Sequence, residues 1–424
     1  MSAINTIRES HPAFKGTTLE SSAHQQARRE ALAAFEKAGF PTVKVEEWKY
    51  TSTRLLRDTE FVVDTGSTPI TEPPVLSTLG NYSARIVFVN GRLHSEWSDW
   101  PTTGPLRIST ELQKTGEYSP SKGALFSTLN DAFRQDSIHI QLAKKTVLEH
   151  PIQVVMVGAA STAPICAHPR VFIHAAQQSE CMVVQSHYGQ GNATTWVNAV
   201  VHTQVDAAAI VNHVLVHHGG EILHYIGHID ATVKRDGVYR SHTFWCGGPL
   251  SRNDLTVSLD EPGSHTDLFG LYLGTSQEHI DNHTVVEHRV PHCQSNELYK
   301  GVLAGKAKAV FNGRIVVHPD AQKTHSEQAN RNLLLSEKAV INTKPELEIY
   351  ADDVSCAHGT TVGQMDEEGL FYLRSRGIDL KTAEIMLTRA FCEEVLEAIP
   401  EGSVRDYARE AVEQRLETLT EATQ

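Results

Sequence analysis

The sequence predicts a mainly β protein in which a parallel β-helix forms the core and α-helical regions flank it. From about Ser137, short β-prone runs follow one another at spacings of about 10 to 16 residues, with Gly, Asn, Asp or Pro between them. Most gaps are too short for a helix, which disfavours a doubly wound α/β fold, and a two-sheet sandwich rarely needs so many strands. After Thr361 the apolar residues recur with a helical period. Stacked coils that bury Val, Ile and Leu on their neighbours account for this pattern.

The chain divides into three predicted regions. Its 424 residues are too many for one compact core of ordinary size. We expect a mostly helical N-terminal region over residues 1–136, the β-helix over residues 137–361, and a C-terminal helical domain over residues 362–424.

The N-terminal region begins with a helix predicted over Ser21 to Ala38, where apolar residues recur three and four apart and Gly39 provides a stop. The Pro/Thr/Ser-rich stretch from Thr65 to Ser77 is typical of a loop. Ala84 to Leu93 predicts a strand that leads into an Asn-Gly turn, and Ala124 to Arg134 predicts a second helix.

The β-helix should contain many short strands. The runs that predict them are Ile138–Leu142, Ile152–Val157, Val171–His174, Met182–Gln185, Trp196–Val205, Ile210–Val216, Ile222–Ile226, Leu255–Leu259, Leu268–Leu273, Val310–Val317, Asn332–Leu335, Ala339–Asn342 and Leu347–Tyr350. We expect coils of roughly 20 to 25 residues, within the range of known repeats.

Three amphipathic helices should follow the β-helix, with Asp366, Asp379 and Ser403 as their caps. The predicted stripe of the second helix consists of Ala383, Met386, Leu387, Ala390 and Phe391. That of the third consists of Tyr407, Ala408, Ala411, Val412, Leu416 and Leu419. Each stripe needs a partner surface, either the chain's own body or another protein. We expect the β-helix to stay folded when the residues after Gly363 are removed.

Composition excludes several classes of function. The net charge of −13, from 38 basic and 51 acidic residues, argues against non-specific nucleic-acid binding. No apolar run approaches the roughly 20 residues that cross a membrane, and Met1 to Lys15 lacks the apolar core of a signal peptide. The six cysteines are scattered without a CxxC pair. We therefore expect a reducing, cytoplasmic location.

Cys356 and His358 form the most informative pair of side chains. In an extended segment, residues two apart face the same side, so the thiol and the imidazole would point together. Both are good ligands for iron or zinc. A Cys-x-His pair is more often structural, however, and two ligands do not complete an iron–sulfur site, which usually needs four. A metal role would therefore require ligands from another chain.

A second group of ligand-type residues comprises His283, His288, His292 and Cys293. Their spacing does not match a helical HExxH site, and histidines in turns or on the surface are the commoner explanation. Gly301 to Ala307 resembles a phosphate loop but has the wrong glycine spacing and no Ser/Thr after its lysine. Three functions stay open on the residues alone: a non-enzymatic scaffold, a β-helical polysaccharide lyase or hydrolase, and a metalloenzyme that uses these histidines.

Several sequence blocks resemble the SufB/SufD family, the scaffold components of the SUF iron–sulfur cluster assembly machinery. They are Glu46–Thr51 (EEWKYT), Asp281–Val317 and Ala321–Ile378, and the VSCAHGTTVG junction is more similar to the SufD branch than to a SufB-type paralogue. The resemblance implies a right-handed parallel β-helix between helical regions. It also implies a non-enzymatic scaffold that pairs with SufB and recruits the SufC ATPase, with a homodimer as an option in isolation.

The resemblance also implies site residues. His358 corresponds to a histidine at the SufB–SufD interface where a cluster is thought to form, and Cys356 to the cysteine beside it. His358 is the provisional metal ligand. Iron or a cluster would be held transiently in the complex, and no cofactor would be bound stably by the isolated chain. The segment LFYLRSRGI corresponds to the SufC-docking region, with contact residues Leu370, Leu373, Arg374 and Arg376.

Overall fold

The computed structural model describes residues 2–11, 22–64, 70–73, 79–110, 125–160 and 162–421. Most of the predicted loop from Thr65 to Ser77 lies outside these residues, as do Ser21 and Ala124, the first residues of the two predicted N-terminal helices.

The described residues contain seven α-helices and a short 3₁₀ helix over Glu46–Trp48. The α-helices are α1 Ser2–Ser10, α2 Ser22–Ala38, α3 Arg54–Asp58, α4 Leu125–Phe133, α5 Glu367–Ser375, α6 Leu380–Glu397 and α7 Ser403–Glu421. The predicted N-terminal helices correspond to α2 and α4. As predicted, Asp366 and Asp379 cap α5 and α6 by accepting hydrogen bonds from the backbone N–H groups of Glu368 and Thr382. Ser403 is itself the first residue of α7 rather than its cap.

The same residues contain twenty-one strands. They are β1 Val62–Val63, β2 Ala84–Val89, β3 Arg92–Leu93, β4 Leu106–Ser109, β5 Ser137–Leu142, β6 Ile152–Ala160, β7 Ile165–Ala167, β8 Arg170–Ala175, β9 Glu180–Gly191, β10 Thr195–Val205, β11 Ile210–His217, β12 Leu223–Val233, β13 Val238–Trp245, β14 Leu250–Leu259, β15 His265–Gly274, β16 His279–His288, β17 Gln294–Leu303, β18 Lys308–Val317, β19 His325–Leu334, β20 Val340–Ile349 and β21 Ser355–Gly363.

These strands form a parallel β-solenoid, which confirms the predicted fold class. From β8 onward, successive strands alternate between two sheets, so each coil adds one strand to each sheet. Sheet A follows the order β20-β18-β16-β14-β12-β10-β8-β5-β4, and sheet B follows β21-β19-β17-β15-β13-β11-β9-β6-β2-β3. Strands β2 and β4 precede residue 137 and already pair with solenoid strands. The division into three regions stays a prediction.

The coils are longer than predicted. Register partners such as Leu250, His279 and Lys308 lie 29 residues apart, whereas 20 to 25 residues were expected. Each coil of the C-terminal half contains two strands of about ten residues, and four of these strands were not predicted: β13, β16, β17 and β21. Two predicted runs, Ala339–Asn342 and Leu347–Tyr350, lie mainly in the single strand β20.

An apolar core lies between the two sheets. It includes several large side chains that are fully buried, among them Tyr225, Tyr239, Trp245, Tyr272 and Phe311. The outer face of sheet A is covered by the N-terminal helices, where Trp48 and Trp196 both pack on Phe126 with ring centroids 5.2 and 5.8 Å away. Strands that are buried on both faces, such as β6 and β10, therefore read as continuous apolar runs.

The outer face of sheet B is covered by α6 and α7. Phe244 and Leu271 of the sheet belong to one buried cluster with Leu396 and Leu416 of the helices. The predicted stripe of α7 is buried throughout, but Met386 and Ala390 of the stripe predicted for α6 are exposed. Deleting the residues after Gly363 would expose this apolar face to water. The expectation that the β-helix stays folded without them stays a prediction. No described helix is long and apolar enough to cross a membrane.

Candidate functional site

The C-terminal end of the solenoid is open. We call strands β20 and β21 the open end, because each is the last strand of its sheet and pairs with a described strand on one side only. Cys356 and His358 lie on β21, in register with Ser326 and Gln328 of β19. Those two partners are buried inside the solenoid, so the thiol and the imidazole face the same, inner side of the last coil.

The two side chains differ in their surroundings. Cys356 is half-buried and packs against a small apolar cluster that contains Ile315 and Val317. Burial raises the pKa of its thiol, which keeps the proton on sulfur at neutral pH until a metal or a base displaces it. His358 is exposed. Among the residues that the structure describes, no group of three or more His, Cys, Asp or Glu side chains is arranged to hold a metal.

Large apolar side chains surround the open end. The exposed fractions are 61% for Tyr350 and 51% for Val362, and Val340 and Ile349 are also exposed. A free sheet edge bordered by apolar residues invites pairing with another chain, and natural proteins usually cover such an edge. The open end therefore has the properties of a protein interface.

The histidines between residues 283 and 293 do not converge on one site. The Nε2 atom of His283 lies 3.0 Å from Oδ1 of Asp281 on the outer face of sheet A. His288 points into the solenoid instead, and its Nε2 lies 2.9 Å from Oγ of Ser295. His292 occupies a turn with a φ of 62°. Because these side chains lie on opposite faces, they do not form a shared metal site.

A second exposed surface lies on α5. Phe371 is 75% exposed and Tyr372 is 58% exposed, whereas Leu370 and Leu373 are half-buried. Arg374 and Arg376 are exposed, and the guanidinium of Arg376 lies 5.2 Å from the ring centroid of Tyr372. Of the predicted docking residues, the two arginines are therefore accessible and the two leucines only partly so.

Sequence reasoning missed the two aromatic residues of α5. They lie within the LFYLRSRGI segment that it singled out, and an aromatic pair is the usual anchor of a protein interface. A helical stripe does not reveal which side of the helix the solenoid covers, so the exposed side could not be assigned from spacing.

Comparisons with known proteins agree with this geometry. The family model for the SufBD core domain of the SUF system for FeS cluster assembly matches residues 156–391, and the model for the SufBD protein N-terminal region matches residues 16–72. The chain is 32% identical to the iron–sulfur cluster assembly protein SufD of Escherichia coli (strain K12), over 97% of each chain. The chain belongs to the SufBD family.

Other SufBD relatives extend the similarity. An iron–sulfur cluster assembly SufBD family protein of Synechocystis is 30% identical over 88% of this chain and 86% of its own length. A Mycobacterium leprae SufBD family protein is 31% identical over 68% of this chain and 74% of its own. The SufBD core match includes both the open end and α5. The resemblance seen in the sequence is thereby confirmed, and the chain is an iron–sulfur cluster assembly SufD homologue.

The EEWKYT block of this SufBD chain attaches the N-terminal region to sheet A through side-chain contacts. The ring of Trp48 lies 3.8 Å from the guanidinium carbon of Arg252, which in turn donates to Oδ2 of Asp281 at 2.8 Å. The Thr51 hydroxyl donates to the same oxygen at 2.5 Å. Burial opposes ionisation of Asp281, but Arg252 lowers the pKa of this carboxyl well below its usual range. The block therefore has a structural role.

A buried histidine network lies in the middle of the SufBD solenoid. It runs from His213 through Gln185, His187 and His217 to Ser251, with donor–acceptor distances of 2.7 to 3.2 Å. Burial lowers the pKa of His213 to about 4 and that of His217 to about 3. The imidazoles are therefore neutral at pH 7, and each donor can meet one acceptor. This network satisfies its own polar groups and requires no ligand.

Proposed function

We propose that this chain is a non-enzymatic scaffold subunit that pairs through its open end with a second SufBD chain, a SufB-like paralogue. One observation carries the proposal: Cys356 and His358 face the same way on an unpaired edge strand, in a chain whose described residues offer no third metal ligand beside them. Two ligands do not complete an iron–sulfur site. A partner strand along β21 would supply both the missing backbone hydrogen bonds and the missing ligands.

His358 is the main ligand in this proposal. Its exposed imidazole can coordinate Fe²⁺ or one edge of a cluster, as histidine does in Rieske centres. Cys356 must lose its proton before it can bind metal, and burial makes that loss more costly. We therefore rank His358 above Cys356. Iron or a nascent cluster is held transiently in the complex, and the isolated chain keeps no cofactor.

We further propose that α5 recruits a SufC-like ATPase. This chain has no Walker A sequence of its own. Phe371 and Tyr372 provide apolar anchors, and Arg374 and Arg376 provide charges for a partner's carboxylates. Leu370 and Leu373 are half-buried and can add apolar contact through their accessible atoms.

Two finer points complete the proposal. In isolation the open end of one copy can pair with that of a second copy, which gives a homodimer. The six cysteines are free thiols, as expected for a reducing compartment, and we place the protein in the cytoplasm.

The test is the iron and sulfide content of the complex purified anaerobically with its SufB-like and SufC-like partners. His358→Ala should leave the stoichiometry of the complex unchanged and abolish cluster build-up, and Cys356→Ala should reduce it less. His325→Ala is the matched control, because His325 is a half-exposed histidine that begins the neighbouring strand β19 and faces outward beside Glu327. Normal cluster content in the His358→Ala complex would contradict a metal role, and loss of the SufB-like partner would show that His358 is a packing residue.

A further inference from the structure

A row of hydrogen-bonded side chains leads through the solenoid interior to the position of Cys356. Ser295 on β17, Ser326 on β19 and Cys356 on β21 are register partners, so they stack on the same inner face. The hydroxyl oxygens of Ser295 and Ser326 lie 2.7 Å apart, and Nε2 of His288 lies 2.9 Å from that of Ser295. We call His288, Ser295 and Ser326 the serine row. The exposed fraction of each is 2% or less.

Cys356 occupies the next position of this row. Neighbouring strands are about 4.8 Å apart, and at this spacing the hydroxyls of Ser295 and Ser326 already meet. The sulfur of Cys356 packs on the apolar cluster that contains Ile315 and Val317. Rotation of one bond, Cα–Cβ, to another staggered position turns the sulfur from this cluster towards the hydroxyl of Ser326.

His288 sets the direction of the hydrogen bonds in the serine row. Burial lowers its pKa to about 4, so the imidazole is neutral at pH 7 and has a single N–H. Its Nδ1 is buried and has no hydrogen-bond partner among the described residues. Because a buried N–H without an acceptor is costly, we assign the proton to Nε2, which donates to Ser295. Ser295 then donates to Ser326, and the hydroxyl hydrogen of Ser326 is available to Cys356.

A hydroxyl donor at this position favours the ionised sulfur. A thiol is a weak hydrogen-bond acceptor, whereas hydrogen bonds to a charged acceptor are about twice as strong as those between neutral groups. When the S–H bond of Cys356 breaks, the proton leaves to solvent and the O–H of Ser326 donates to the negative sulfur. Hydrogen bonds to ligating sulfur atoms are also one of the means by which proteins tune metal–thiolate sites.

The row that contains His358 has no such donor. Its register partner is Gln328, whose Nε2 already donates to Oε2 of Glu297 at 2.6 Å. The serine row therefore acts on Cys356 and not on His358.

We propose that Ser326 is a positioning residue for Cys356: its hydroxyl, oriented by Ser295 and His288, donates a hydrogen bond to the sulfur and stabilises the thiolate that binds iron. The inference rests on the proposed function, since it explains how a half-buried thiol can serve as the second ligand of the shared site.

The test is the pH profile of alkylation of the isolated full chain by iodoacetamide, without metal and at a concentration where the chain is monomeric. Five of the six cysteines are buried, so the reaction reports Cys356, and Cys356→Ala gives the background rate. All other samples carry His358→Ala, so that ionisation of the neighbouring imidazole does not enter the profile. Since the thiolate is the reactive form, the midpoint of the profile measures the balance between thiol and thiolate.

Ser326→Ala should move this midpoint up by about one pH unit, which lowers the rate roughly tenfold at a pH below the midpoint. Ser295→Ala removes the group that orients the Ser326 hydroxyl and should give a smaller shift in the same direction. Thr360→Val is the matched control, because Thr360 faces the same side of β21 but its hydroxyl donates to that of Thr343 at 3.1 Å. It should leave the midpoint unchanged.

An unchanged midpoint in Ser326→Ala would overturn the proposal, as would a shift of the same size in Thr360→Val. The unfolding midpoint of each variant is measured alongside, and if Ser326→Ala folds poorly, Ser295→Ala decides the question in the same way.

The assay contains no iron, so its failure differs from that of the proposed function. If Ser326→Ala shifts the profile while His358→Ala complexes build normal clusters, the hydrogen bond stands and the shared metal site is wrong. If His358→Ala complexes fail to build clusters while Ser326→Ala leaves the profile unchanged, the shared site stands and Ser326 is only a packing residue.

Discussion

Replacing Phe371 with alanine should separate ATPase recruitment from folding. The side chain is 75% exposed, so its removal costs the free chain little, within about 0.5 kcal/mol, and alanine maintains the helix. Burial of a phenylalanine side chain in an interface contributes about 2 kcal/mol, which corresponds to roughly a 30-fold change in Kd. We therefore expect the SufC-like ATPase to bind Phe371→Ala about 30-fold more weakly, with an unchanged unfolding midpoint.

The assay is equilibrium binding of the ATPase to the purified chain, with pairing to the SufB-like partner measured in parallel. Tyr350→Ala is the matched control, because Tyr350 is an aromatic residue of similar exposure, 61%, at the open end. It should weaken pairing and leave ATPase binding unchanged. An unaltered Kd for Phe371→Ala would refute α5 as the docking surface, and a large fall in its stability would refute the reasoning from exposure.

Three further predictions concern stability. Tyr407→Phe removes a buried hydroxyl that joins α7 to three polar side chains of sheet B and its following turn, so urea unfolding should show a loss of about 2 kcal/mol. Arg252→Met leaves the buried carboxylate of Asp281 without its cation and should cost about 3 to 5 kcal/mol in the same assay. Burial opposes ionisation of Asp267, yet hydrogen bonds lower the pKa of its carboxyl to about 2. The ionised carboxyl therefore stabilises the fold above pH 4, and this stabilisation is lost as the pH falls towards 2. In Asp267→Asn, the loss of unfolding free energy over this pH range should be smaller by about 1 to 2 kcal/mol.

The fold class was predictable because apolar runs are the direct signature of strands buried on both faces. Strands such as β10 and β11 show this signature clearly. Strand β17 does not, because its inner positions include Ser295 and Glu297 rather than apolar residues. These polar inner residues concealed β17, and coil length could not be measured while strands were missing.

The candidate site was predictable only in part. The spacing of Cys356 and His358 indicated that they face the same way, since any extended segment has that property. The unpaired edge of β21 and the exposure of Phe371 depend on how distant elements pack, and local pattern does not specify such packing. The opposite orientation of His283 and His288 follows from their odd separation within one strand, once β16 is known to be a strand.

Hydrogen exchange along β21 tests the central claim most directly. Amides of Ser355–Gly363 that point away from β19 have no strand to pair with in the described chain, so they should exchange rapidly in the isolated monomer. Pairing with the SufB-like partner should protect them, while protection of the central strands stays unchanged. If the complex forms and exchange along β21 remains as fast as in the free chain, the open end is not the interface and the shared metal site is wrong.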